Sequence, residues 1–230
     1  MTVTGLPQTR AVLARVIDHT LLKPEATRAQ IDRLCDECLQ YGFMAACVNP
    51  VWAARCAKRL EGSRTVVAAV VGFPLGATLT EVKVLEAQMA VRQGAREIDM
   101  VADLGALIAG EQDVVTRDIA GVVEGAKHVN PDALVKVILE ARALTTDQII
   151  LGCRCAIDAR ADFVKTSTGL HPAGGATVEH VALFRKHAGP LKVKAAGGIR
   201  DLQTALAMLE AGADRLGASA SVAIVEALGT

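Results

Sequence analysis

The sequence predicts an α/β fold, a (β/α)8 TIM barrel built as a single domain over residues 1–230, with about residues 1–12 as an N-terminal extension. Three observations carry this expectation. Eight short β-like apolar runs begin near Ile17, Ala45, Val67, Glu97, Val135, Asp162, Lys192 and Asp214. They lie about 28 residues apart, the unit length of an eight-fold barrel. Amphipathic stretches of helical period fall between them, over 27–41, 80–93, 145–160, 178–187 and 201–210, and such alternation implies a parallel sheet. No linker, low-complexity tract or charge run divides the chain. An open doubly wound sheet is the alternative, but it wants a glycine-rich turn after the first strand. What stands there is His19, Thr20, Leu21, Leu22, Lys23 and Pro24.

Taken in order, the first strand carries Asp18 and His19 towards the end where barrel enzymes place their chemistry. Cys35 and Cys38 fall on the apolar stripe of the helix that follows, which Gly42 closes, as a residue able to take positive φ should. The apolar run 66–73 stops at Pro74. Thr80 is the expected cap of the next helix, with Lys83 one turn on, and Gly94 closes it. Glu97, Asp99 and Val101 share one face of the fourth strand, Phe163, Lys165 and Ser167 one face of the sixth, and Lys192 and Lys194 one face of the seventh. Asp201 is the expected cap of the helix that ends near Gly212, and the eighth strand runs into Gly217, Ala218, Ser219, Ala220 and Ser221.

Composition removes several function classes. The chain is 51% hydrophobic, which excludes disorder, and its 25 basic and 25 acidic residues cancel. No basic excess suits a nucleic acid or a membrane surface, and aromatics at 3% offer no platform for stacking bases. No apolar run approaches the ~20 residues of a membrane span. The opening MTVTGLPQTR lacks a signal-peptide pattern, so a cytoplasmic location is expected. Six cysteines in that compartment read as buried thiols, since neither 35/38 nor 153/155 has a common zinc setting. The apolar composition suits a homo-oligomer, dimer or tetramer.

The candidate chemistry lies on the inward faces of the strands. A lysine inside a barrel strand is unusual, because lysine is almost never buried unpaired. Lys165 reads either as a buried ion-pair partner or as an amine that forms a Schiff base with a carbonyl. Lys194 lies at a matching position on the adjacent strand, and one ammonium lowers the pKa of its neighbour. Asp99 is costly to bury without a partner, and Lys194 is the expected one. It reads as a structural pair or as a proton shuttle. The small-residue loops after strand seven, with Gly197 and Gly198, and after strand eight, Gly217 to Ser221, sit where barrels hold phosphate.

Eight separated motifs now occur in a fixed order: IDHTLLKPEAT (17–27), CVNP (47–50), VVGFPLG (70–76), EIDMV (97–101), KVILE (136–140), VKTSTG (164–169), KAAGGIR (194–200) and GASAS (217–221). On these, from about Ile17 to Ala227, the chain resembles the deoxyribose-phosphate aldolase family of class I aldolases. The resemblance implies reversible cleavage of 2-deoxy-D-ribose 5-phosphate to acetaldehyde and D-glyceraldehyde 3-phosphate. It gives Lys165 the Schiff base, Lys194 the tuning of that lysine, and Asp99 the proton relay. It further implies that Asp18 and Cys47 line the site, that Thr168 binds substrate, and that Gly169, Gly197, Gly198, Gly217 and Ser219 hold the phosphate. No metal and no cofactor is implied, and the partners are the sugar phosphate and aldehyde alone. The chain departs from the family at Ala102 and Asp103, where a hydrophobic residue and Asn are common, at Ala141, commonly Thr, and at Leu170, Lys in some members. These changes bear on efficiency and acceptor preference, and spare Lys165, Lys194 and Asp99. Another barrel enzyme with the same phosphate half, such as an isomerase, and a sugar-phosphate binding protein without catalysis are the competing readings.

Overall fold

The computed structural model describes residues 6–229, so the first five residues of the expected N-terminal extension lie outside the described residues. Eight parallel strands close in sequence order: β1 (Ile17–Leu21), β2 (Ala45–Val48), β3 (Val66–Val71), β4 (Ala95–Val101), β5 (Leu134–Ile138), β6 (Phe163–Lys165), β7 (Lys192–Ala196) and β8 (Arg215–Ala218). Helix α1 (Arg10–Ala14) precedes the barrel. Single helices follow most strands: α2 (Arg28–Tyr41), α3 (Ala53–Arg59), α4 (Thr80–Arg92), α7 (Thr146–Asp158), α8 (Val178–His187), α9 (Leu202–Glu210) and α10 (Ser221–Glu226). Two helices, α5 (Leu104–Ala109) and α6 (Gln112–Val129), join β4 to β5. That doubled crossover accounts for the longest strand-to-strand step in the sequence. No helix among the described residues is long and apolar enough to cross a membrane.

Local chemistry sets the ends. Thr27 and Thr145 cap α2 and α7 in reciprocal boxes with Gln30 and Gln148. Asp201 accepts from the Thr204 amide at the start of α9, as expected. Gly42 ends α2 at φ 71°. Thr80 does not cap α4: Leu79 stands at that position, and the Thr80 hydroxyl instead donates to Asp118 at 2.8 Å. The buried carboxylate on α6 outcompetes the helix end for this hydroxyl. Arg10 donates to the carbonyls of Glu226, the last residue of α10, and of Leu228 just after it, tying α1 to α10.

The core has two parts. Outward strand residues, among them Ile17, Ala46, Ile98, Val135, Val137, Val164 and Val193, pack under the helices. Inside the barrel, Ala45 and Cys47 of β2 and Ala68 and Val70 of β3 form a small separate cluster. Beside Phe163, whose ring lies 5.9 Å from Lys136 Nζ and 5.5 Å from the Arg215 guanidinium, much of the remaining interior is charged. Small side chains on β2 and β3 leave volume that long lysines and an arginine from β5 to β8 fill. His19 points outward, its Nε2 2.7 Å from Glu37 of α2, so it belongs to the shell rather than to the barrel interior.

Candidate active site

The strand register fixes the site. Asp99 is level with Lys136, Lys165 with Lys194, and Lys194 with Arg215. All alternate inward. Asp99 is fully buried and meets three lysines: its Oδ2 lies 2.7 Å from both Lys165 Nζ and Lys194 Nζ, and its Oδ1 2.7 Å from Lys136 Nζ. Lys194 also reaches Asp18 at 2.5 Å. Lys136 reaches Glu97 at 2.6 Å. Arg215 joins Asp18 and Glu97 at 2.6 and 3.1 Å.

The barrel therefore buries four potential cations, Lys136, Lys165, Lys194 and Arg215, against three carboxylates, Asp18, Glu97 and Asp99. Burial of unbalanced charge is costly, and a titratable group yields first. The group that yields is Lys165. Burial pushes its pKa below 10.5, and the Lys194 charge adds to this against the pull of Asp99. Burial also opposes the charges of Lys194 and Lys136, but Asp18 and Asp99 outweigh it for the first, and Asp99 and Glu97 for the second, so both rise. Asp99 resists its burial because three lysines hold it well below the usual carboxylate range. Two similar lysines on adjacent strands thus diverge: the barrel lowers the pKa of Lys165 and raises that of Lys194.

Above this cluster a cleft of about 260 Å³ opens at the C-terminal ends of the strands. Its walls include Lys165, Thr168, Gly169, Gly197, Gly198, Gly217 and Ser219, together with Thr20, Lys23, Leu170 and Arg200. Asp18, Asp99, Lys194 and Cys47 lie beneath rather than on the walls, each at most 1% exposed. Asp18 is fully engaged by Lys194 and Arg215, so the structure sets it under the lysines, away from the cleft surface. Burial pushes the Cys47 thiol up. A larger cleft, about 760 Å³, opens at the opposite end among Val16, Lys192 and Asp214, remote from these groups.

The cleft walls are close-packed backbone. A Cβ on Gly197, at φ 87°, would stand 2.6 Å from Ser167 Oγ, and Gly169 has φ 79°. Within the described chain the N–H groups of Gly169, Gly197, Gly198 and Ser219 make no hydrogen bond. Amides without a partner on residues that line a cleft suit an anion. Gly217 has a second duty: a Cβ there would meet Lys194 Cε at 3.2 Å. Among the described residues no group of three or more His, Cys, Asp or Glu side chains has metal-site geometry.

Sequence reasoning did not single out Lys136, Arg215, Glu97 or Glu140 as site residues. Lys136 had the signal that marked Lys165, a lysine on an inward strand position. Glu140 had none. It follows β5 with φ 55° and ψ 55°, a left-handed conformation that costs a non-glycine residue roughly 1–3 kcal/mol. Its buried carboxylate accepts from the Thr168 amide at 3.2 and 3.3 Å and from the Thr168 hydroxyl at 2.5 Å. The departures from the family are placed too. Asp103 caps α5 by accepting from the Ala106 amide at 3.1 Å, Ala141 is buried, and Leu170 is an exposed part of the cleft rim.

Residues 12–226 match the model of the DeoC/LacD family aldolase. The chain is 53% identical to the deoxyribose-phosphate aldolase of a Geobacillus species over 215 residues, covering 93% of this chain and 95% of the relative. It is 50% identical to that of Brevibacillus brevis over 212 residues, covering 92% and 94%. Among solved structures it superimposes on the tetrameric deoxyribose phosphate aldolase of Aeropyrum pernix with a TM-score of 0.88 at 37% identity, covering 95% and 92%.

Proposed function

The chain belongs to the DeoC/LacD family of aldolases and is a carbon–carbon lyase, and from that premise we propose that it cleaves 2-deoxy-D-ribose 5-phosphate reversibly to acetaldehyde and D-glyceraldehyde 3-phosphate through a Schiff base on Lys165. The observation that carries the mechanism is the inequality of the two lysines on Asp99 Oδ2. An amine attacks a carbonyl only when neutral, and Lys165 is the group whose charge the barrel disfavours. It is also the lysine on the cleft wall.

In the synthetic direction the Lys165 amine adds to the carbonyl carbon of acetaldehyde and forms a carbinolamine. Lys194, held as an ammonium, gives a proton to the departing hydroxyl along the Asp99 oxygen that both lysines share. Water leaves, an iminium forms, and Lys194 becomes neutral. Positive charge has moved from one lysine nitrogen to its neighbour, and the interior keeps its three-against-three balance. The iminium makes the adjacent methyl acidic. Its proton returns to Lys194 by way of Asp99 and a water from the cleft. The resulting enamine carbon attacks the aldehyde carbon of glyceraldehyde 3-phosphate. The aldehyde oxygen takes the proton that Lys194 now carries; water then adds to the new iminium, the proton it releases returns to Lys194, and collapse of the carbinolamine frees the sugar and restores the Lys165 amine. Cleavage is the reverse. Phosphate held by the free amides of Gly169, Gly197, Gly198 and Ser219 positions the reacting carbons, so remote binding lowers the chemical barrier.

Steady-state assay of acetaldehyde release tests this reading. We expect cleavage of 2-deoxy-D-ribose 5-phosphate, weaker cleavage of unphosphorylated 2-deoxy-D-ribose, and none of either by Lys165→Ala. Equal kcat/KM for the two sugars would contradict the phosphate site, and wild-type turnover in Lys165→Ala would contradict the covalent route.

A further inference from the structure

We propose that Glu140 is a positioning residue for the phosphate end of the substrate, acting through Thr168 to hold the 168–170 turn; the inference rests on the phosphate-site reading above. Three observations converge on it. Glu140 is 1% exposed, and among the described residues the hydrogen bonds its carboxylate makes all come from Thr168, from the amide at 3.2 and 3.3 Å and from the hydroxyl at 2.5 Å. No cation pairs with it among the described residues, so a buried carboxylate depends on one neighbour for its solvation, and such dependence works in both directions. Second, its backbone sits at φ 55°, a conformation a glutamate holds only where the surroundings impose it. The amide of the next residue, Ala141, donates to the Thr166 carbonyl at 2.8 Å. The end of β5 is thereby pinned to the strand-end segment that carries Lys165.

Third, the turn is fastened from its far side as well. The Thr168 hydroxyl that donates to Glu140 accepts from the Leu170 amide at 3.1 Å. Gly169 is left at the apex, its amide free, packed against Gly197 so tightly that an added Cβ would meet the Gly197 Cα at 3.3 Å. Glu140 thus sets the height of the Gly169 amide relative to the amides of Gly197 and Gly198. It touches neither substrate nor reacting atoms. Where phosphate sites in barrels draw on the loops after the seventh and eighth strands, this one gains a third wall whose anchor comes from the fifth.

The test separates phosphate positioning from general folding. Glu140→Gln keeps the shape and removes the charge that holds both donors. We expect kcat/KM on 2-deoxy-D-ribose 5-phosphate to fall about tenfold or more, mainly through KM, as for loss of a charge-assisted hydrogen bond. On unphosphorylated 2-deoxy-D-ribose the change should stay within about twofold. Calorimetric titration with inorganic phosphate should show weaker binding by a similar factor. In Glu140→Gln/Thr168→Val the phosphate affinity should fall no further than in the worse single variant, because the two act as one unit. Equal losses on both sugars, or unchanged phosphate affinity in Glu140→Gln, overturn the proposal. If Glu140→Gln does not fold, Thr168→Val must weaken phosphate binding, and failure to do so overturns it. Phosphate binding is read without turnover. A wild-type protein that binds phosphate, loses this affinity on Glu140→Gln, yet leaves 2-deoxy-D-ribose 5-phosphate uncleaved would refute the substrate reading and keep the Glu140 clasp.

Discussion

Lys165 and Lys194 share one oxygen of Asp99, yet only Lys194 also holds Asp18. That second carboxylate raises the pKa of Lys194, whereas that of Lys165 is lowered. Activity should therefore rise with pH as Lys165 loses its proton, below the 10.5 of an ordinary lysine. Lys194→Met removes a positive neighbour, so protonated Lys165 becomes less costly and the rising limb of the kcat/KM profile moves to higher pH. The same variant should lose about 10²–10⁴-fold in kcat, as expected for lost acid–base catalysis. A limb that stays in place, or moves down, contradicts the tuning role. The sequence made these residues legible because a charge at an inward position of an apolar strand stands out. Lys136 carried that signal unremarked. The dependence of Asp18 on Arg215, 197 positions away, carried no sequence trace. Nor did the left-handed Glu140, since nothing in local sequence requires that conformation of a glutamate.

At the scale of elements, strand order and five helix spans, those of α2, α4, α7, α8 and α9, were legible, because period-2 and period-3.6 patterns alternate cleanly there. Capping chemistry read well where no tertiary partner competed, as at Asp201 and Gly42, and failed at Thr80. There the hydroxyl and Lys83 both converge on Asp118, with Lys83 Nζ 2.7 Å from its carboxylate and 3.1 Å from the Val101 carbonyl. This pair fastens α4 to α6 and to the end of β4, and the Lys83 side chain is fully buried. Lys83→Met leaves Asp118 buried without its cation and should cost about 3–5 kcal/mol in urea unfolding. Lys83→Met/Asp118→Leu should recover much of that loss. A single variant as stable as wild type would show that the pair is not what holds these helices.

The whole molecule is organised around a charged barrel interior wrapped in an apolar shell. Its stability should follow the titration of that interior. Asp18 and Asp99 are held below their ordinary value of 3.8. Their contribution is present above that value and is lost as pH falls, because the unfolded chain takes up protons that the native barrel refuses. Lys136 and Lys194 are raised above 10.5. Their contribution is present below 10.5 and is lost as pH rises through the raised values. Lys165 runs the opposite way, since its native pKa is lowered. The melting temperature should therefore hold near neutrality and drop below pH about 4. Calorimetry across that range checks it, and a melting temperature that rises on acidification contradicts the buried-carboxylate account. Closure of the barrel and its eight units were legible because the periodicity spans the chain. The net charge of zero concealed the local excess of cations that sets the chemistry.

Whether Lys165 is the carbonyl-binding amine is tested by reductive trapping. The protein is incubated with acetaldehyde and borohydride, digested, and its peptides are read by mass spectrometry. The expected product carries an ethyl group on Lys165 and leaves Lys194 unmodified. An unmodified Lys165, under conditions that trap another class I aldolase, would contradict it, and an adduct on Lys194 instead would reverse the roles assigned to the two lysines.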